Sequence, residues 1–175
     1  NSAVGCGDVN NDGSPDLIVG APNSKAHGNA YVFSGKDGSL LHHFKGKAAG
    51  DQFGYEVSEL GDIDGDGHAD VLVGAAAGSG KQSKSGSAIA YSGKTGKELF
   101  KLEGERSGDG FGNAAACSKS SDGEFTLAIG AQNAGPNKHG RVYVLQRAGS
   151  AWSLLQKLGA DVLVDCDQFG AAMDV

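Results

Sequence analysis

Apolar positions in this chain come in short runs separated by glycine-rich polar stretches, and the runs return in a fixed order. One kind ends in Gly-Ala: LIVGAP at 17–22, VLVGAA at 71–76 and LAIGAQ at 127–132. A second opens after a glycine: GNAYVFSG at 28–35, GSAIAYSG at 86–93 and GRVYVLQR at 140–147. A third follows a glycine turn: LLHHF at 40–44, ELFKL at 98–102 and WSLLQKL at 152–158. A Phe-Gly pair introduces the second and third sets and recurs after the third, and Phe53, Phe111 and Phe169 stand 58 residues apart. The runs are too short for helices, rich in β-branched residues and bounded by glycine, so they predict strands.

Counting the stretch from Phe-Gly onward as the first strand, every unit supplies four short strands, A to D. Four antiparallel strands in a repeat of about 56 residues describe one blade of a β-propeller. The fold expected is therefore all-β. Its units are 1–52, with an incomplete first strand, then 53–110 and 111–168, with 169–175 opening a fourth repeat. Closed propellers use four to eight blades. Three blades are expected to leave open flanks that invite association, either with more of a longer protein or with further copies of this chain.

The polar stretch between strands A and B carries the candidate chemistry. In GDVNNDGSPD and GDIDGDGHAD, oxygen-bearing side chains alternate along a glycine-containing loop, the arrangement by which a tight turn gathers ligands for a hard cation. Asp62, Asp64, Asp66 and Asp70 supply side-chain oxygens in the second unit, with the backbone carbonyl of His68 at the seventh position. In the first unit the same offsets hold Asp8, Asn10, Asp12 and Asp16, with the carbonyl of Ser14. An EF-hand would need a glutamate at the twelfth position, where this chain has Val19 and Val73. Ca²⁺ is favoured over Mg²⁺, which keeps more of its waters. Four carboxylates at close range repel without a cation, so the metal is expected to act in folding, not in catalysis. At the third unit's offsets stand Ser118, Ser120, Asp122 and Thr126, and this loop, 118–126, is expected to hold little or no calcium.

Phe-Gly, a DxDxDGxxD loop and Gly-Ala-Pro, three times in register, resemble the FG-GAP repeat of integrin α-chain propellers and of many bacterial surface proteins. The resemblance covers essentially the whole chain and implies the same calcium ligand set. It also implies a non-catalytic, calcium-binding scaffold for adhesion or recognition. Two alternatives stand beside it: a self-assembling structural subunit, and the propeller part of a polysaccharide-degrading enzyme, since FG-GAP blades also resemble parts of certain polysaccharide lyases.

Composition narrows the setting. Thirty glycines with only three prolines suit many tight turns without a collagen-like period. The formal charge of −6 comes with scattered lysines and arginines, so nucleic-acid binding is not expected. No apolar run reaches the ~18 residues a membrane helix requires. Extracellular calcium modules work at about 10⁻⁴–10⁻³ M, which points to an extracellular or cell-surface location; the protein or glycan ligand cannot be read from the repeat. SGKTGK at 92–97 lacks the upstream glycine of a phosphate-binding loop, Ala88 standing in its place. His42 and His43 are neighbours on a predicted strand, point to opposite faces and are expected on a solvated edge. Phe53, Phe111 and Phe169 are expected between blades. No intrachain disulfide is expected among Cys6, Cys117 and Cys166.

Overall fold

The computed structural model describes residues 2–24, 27–78, 84–135, 137–149, 151–159 and 169–173. Twelve strands among them form three four-stranded antiparallel sheets, in agreement with the all-β expectation. The first sheet orders β1 (Ala3–Gly5), β2 (Leu17–Ala21), β3 (Asn29–Phe33) and β4 (Leu40–Lys45). The second orders β5 (Phe53–Gly61), β6 (Asp70–Ala75), β7 (Ser87–Tyr91) and β8 (Glu98–Glu103). The third orders β9 (Phe111–Lys119), β10 (Phe125–Ala131), β11 (Arg141–Ala148) and β12 (Ala151–Gly159). Each is a simple up-and-down meander, and the three do not close into a ring. Every sheet carries a bulge at one position: the outer strand gains a residue opposite Val32/Phe33, Ala90/Tyr91 and Val144/Leu145. The repetition marks it as part of the blade design, since a bulge sharpens twist and turns the outer strand.

The sheets pack face to face, and the apolar runs divide between two cores. One core is shared by the first and second sheets and includes Ile18, Val32, Phe44, Phe53, Val71, Val73 and Tyr91. The other, between the second and third, includes Leu72, Ala88, Ala90, Phe111, Phe125, Leu127 and Tyr143. The middle sheet serves both. Val71 and Val73 face one neighbour and Leu72 the other, so β6 and β7 are buried at every position. That is why their sequences run apolar without alternation.

The Phe-Gly pair is the joint between blades, as its repetition suggested. Gly28, Gly86 and Gly140 form parallel bridges to Phe53, Phe111 and Phe169 of the following unit. Phe53 meets Tyr91 edge-on at 6.3 Å, and Tyr91 stacks at 4.2 Å on Phe44 of the preceding blade. The glycines of Phe-Gly and Gly-Ala answer one another across the joint. A Cβ at Gly20 would stand 2.1 Å from the Gly54 carbonyl oxygen, and one at Gly74 2.0 Å from that of Gly112. Gly54 and Gly112 also hold φ of 84° and 83°, open chiefly to glycine.

His42 departs from the solvated edge expected for it. Its Nε2–H donates to the carbonyl of Gly93 in the second sheet, so it is half-buried between blades, whereas His43 is exposed and donates to Asn29 Oδ1 at 2.8 Å. The inter-blade contact lies 51 residues away along the chain, beyond what strand alternation reveals. Cys6 is buried and Cys117 partly so, both as free thiols. Burial and nearby carboxylates push them up to about 12 and about 11, so they are inert at neutral pH. Cys166 lies outside the described residues.

Candidate metal centre

Residues 62–69 join β5 to β6 and residues 6–16 join β1 to β2, both at the same corner of their blades. The two loops are built by one hydrogen-bonding scheme. The first aspartate receives the amides four and five residues on: Asp62 from Asp66 at 3.0 Å and Gly67 at 3.0 Å, Asp8 from Asp12 at 3.0 Å and Gly13 at 2.7 Å. Asp66 accepts from the His68 amide at 3.1 Å and Asp12 from that of Ser14 at 3.0 Å. Gly67 and Gly13 take φ of 86° and 87° at the sharpest bend.

The ninth-position aspartate closes each loop and is wholly or nearly buried, Asp70 at 0% and Asp16 at 3% exposure. Asp70 receives the amides of Ile63 at 2.9 Å and, from the C–D hairpin, Gly93 at 3.0 Å; Asp16 receives Val9 at 2.8 Å and Gly35 at 3.0 Å. Loss of hydration raises the Asp70 carboxyl to about 6, against the lowering pull of the Gly93 amide, and the neighbouring Asp64 charge raises it further. A side-chain hydrogen bond from Asn10 leads the effects that hold Asp12 below the usual carboxylate range.

Of the expected ligands, Asp62, Asp64 and Asp70 bring one oxygen each within 4.8 Å of one another. This hard-oxygen set suits a cation of calcium's class. Asp66 is outside that group, its carboxylate turned to the loop backbone. In the first loop Asn10 contributes an amide where Asp64 stands, and its Nδ2 donates to Asp12 at 2.9 Å. The ring of His68 reaches the Val9 carbonyl of the first blade at 2.8 Å. Sequence spacing had singled out its carbonyl, and Val9, Ile63, Gly35 and Gly93 not at all. The aliphatic residue between the first two ligand positions was the available signal for Val9 and Ile63.

The third corner is a different structure. Strands β9 and β10 run on until Phe125 pairs with Lys119, leaving a loop of residues 120–124. Ser118 and Thr126, at the first and ninth offsets, face each other as ladder partners. Ser120 donates to Asp122 and to the Glu124 carbonyl, so Asp122 caps its own turn.

A second concavity, about 670 Å³, runs along the innermost strands β1, β5 and β9. Glu56, Glu59 and Lys119 line it, and burial raises Glu56 to about 7.

Meandering four-stranded sheets stacked through their faces, with an acidic loop at one corner, define the β-propeller class. A family profile of FG-GAP-like repeats matches residues 8–73, the span of both acidic loops. Integrin alpha-V of Gallus gallus is 30% identical over 152 residues, covering 81% of this chain and 15% of that protein. Integrin alpha-3 of Mus musculus is 40% identical over 86 residues, 42% of this chain and 8% of that protein. The chain belongs to the FG-GAP repeat β-propeller proteins. It spans less than a sixth of the length of these integrin relatives.

Among solved structures, a rhamnogalacturonan lyase of Bacillus licheniformis superposes with a TM-score of 0.58 at 17% identity, over 93% of this chain and 34% of its own. The exotype rhamnogalacturonan lyase YesX gives 0.58 at 18%, over 92% and 33%. These likenesses are of fold alone. No helix among the described residues is long and apolar enough to cross a membrane.

Proposed function

We propose that this chain is part of a calcium-stabilised, non-catalytic propeller that presents a recognition or adhesion surface outside the cell. In this reading the blades are 1–52, 53–110 and 111–168, and 169–175 begins another. Ca²⁺ occupies the loops at 8–16 and 62–70 through Asp8, Asn10, Asp12, Asp16, Asp62, Asp64, Asp66 and Asp70, with the carbonyls of Ser14 and His68. The supporting observation is the convergence of Asp62, Asp64 and Asp70 oxygens on one corner, in a loop whose hydrogen bonds the first loop repeats. The weak calcium affinity usual for extracellular modules supports this location, and the likeness to integrin α-chains supports this kind of task. Binding of the chain to arrays of matrix proteins and glycans, with calcium and with EDTA, tests the reading. Calcium-dependent capture of a specific ligand is expected; capture indifferent to EDTA contradicts it.

A second reading, the propeller part of a polysaccharide-degrading enzyme, draws on the groove along β1, β5 and β9, where Glu56 titrates near the pKa a general base needs. Reproducible cleavage of a polysaccharide by the purified chain would favour it. Association of copies through the open flanks is the third, and light scattering decides it.

A further inference from the structure

The residue between the first two ligand positions of each loop is aliphatic and buried: Val9 at 0% and Ile63 at 3% exposure. Neither side chain packs in its own loop. Val9 sits in the core shared by the first two sheets, and Ile63 in the core shared by the second and third. Each amide donates to the ninth-position carboxylate, Val9 to Asp16 and Ile63 to Asp70. The same carboxylate that closes the loop therefore holds the apolar plug against the next blade.

The two loops also touch directly. The Ala69 amide of the second loop donates to the Asp8 carbonyl of the first at 3.0 Å. His68 Nδ1 lies 2.8 Å from the Val9 carbonyl and must carry the proton, since a carbonyl only accepts. There is little slack around these bonds. A Cβ at Gly7 would stand 2.8 Å from Ala69 Cβ, and one at Gly93 3.0 Å from Val9 Cγ1. Asp8 thus has two duties: its side chain opens the first loop, and its backbone receives the second.

We propose that the two loops are thermodynamically coupled, so that a calcium ion in one raises the affinity of the other. The proposal rests on the calcium reading above. An ion held by the second loop fixes Ala69 and His68, which in turn fix the Asp8 and Val9 carbonyls. Part of the ordering cost of the first loop is then already met when its own ion arrives. Linkage makes the effect reciprocal. The hairpin at 120–124 has no cage, so the coupled unit is this pair.

Isothermal titration calorimetry of the whole chain with Ca²⁺ tests it. Asp64→Ala removes one of the three converging oxygens of the second loop, and the affinity of the first should fall about five-fold or more. Asp12→Ala should weaken the second loop by the same factor. His68→Ala removes the ring but keeps the backbone, and should convert a cooperative two-site isotherm into an independent one. His68→Asn, whose amide can donate where Nδ1 did, should restore cooperativity. First-loop affinity within about two-fold of wild type in Asp64→Ala overturns the coupling; should that variant not fold, an unchanged cooperative isotherm in His68→Ala overturns it. Absence of any calcium uptake by the wild-type chain removes the calcium reading itself, and the coupling with it.

Discussion

The carboxylate of Asp70 accepts the amide of Gly93 at 3.0 Å, tying the loop before β6 to the hairpin after β7. Asp70 also receives the Ile63 amide at 2.9 Å and is fully buried. It is a framework residue before it is a ligand. Asp70→Ala should therefore destabilise the fold by about 2–4 kcal/mol even in EDTA, because two buried amides lose their acceptor. Asp66→Ala leaves one part-buried amide without its carboxylate and should cost about 1 kcal/mol in EDTA. Denaturant unfolding with and without calcium separates the two: Asp66→Ala should show its main deficit only with the ion present.

Removing calcium should lower the melting temperature of the wild-type chain, and adding it back should restore it, since a ligand that binds only the native state stabilises by mass action. At calcium ten times the dissociation constant the gain is about 1.4 kcal/mol per independent site. Calorimetric melting in EDTA and in millimolar calcium measures this, and coincident transitions contradict the calcium reading.

The glycines at the blade joints should be far less replaceable than those in the loops. Gly74→Ala would put a methyl 2.0 Å from the Gly112 carbonyl oxygen, and a loss of at least about 3 kcal/mol is expected. Gly13→Ala meets nothing within 4 Å and bears only the strain of φ +87°, about 1–2 kcal/mol. Parallel urea titrations check the ranking.

Glu56 supplies a pH dependence distinct from the loops. Its folded carboxyl is raised to about 7 from 4.5, mainly by burial, while the Ala115 backbone bond pulls the other way. The folded state therefore holds a proton that the unfolded chain has released. Stability from this group is full below about pH 4.5 and declines as pH rises toward 7. Discounting for residual solvent contact, the decline is about 1–2 kcal/mol. Glu56→Gln should flatten the profile and stabilise the chain at pH 8, as read from unfolding curves in EDTA at pH 5 and 8.

Restoring the missing carboxylates should not restore a third site. Ser118→Asp, Ser120→Asp and Thr126→Asp place one charge on a five-residue hairpin, 120–124, and two on its flanks, where 118 and 126 are paired in the ladder. Calcium stoichiometry of the triple variant should match that of wild type.

The blade plan was legible because three copies of one pattern sit in one chain. Phe-Gly, Gly-Ala and the strand between them fix order and spacing, but not the double burial of β6, since LIVGA of β2 runs equally apolar and alternates in exposure. The loops were legible for the same reason: an aspartate at every second offset is a local signal. What stayed hidden depends on contacts between blades. His42 and Gly93 are 51 residues apart, and His68 and Val9 59 apart, so no local window connects them. Spacing also placed Asp66 with its fellow aspartates, whereas its carboxylate takes the His68 amide and falls outside their group. Glu56 gave no signal, since only the approach of β9 withdraws it from water.

The paired glycines at each joint have a consequence for how such a chain can grow. Every blade offers one flank to its predecessor and a different flank to its successor, and both joints described here use the same two flanks. A tandem duplication of 58 residues, Phe-Gly to Phe-Gly, would insert a module already fitted to its neighbours on either side. Copy number can then change without any new surface having to evolve, while single substitutions at the joint are barred.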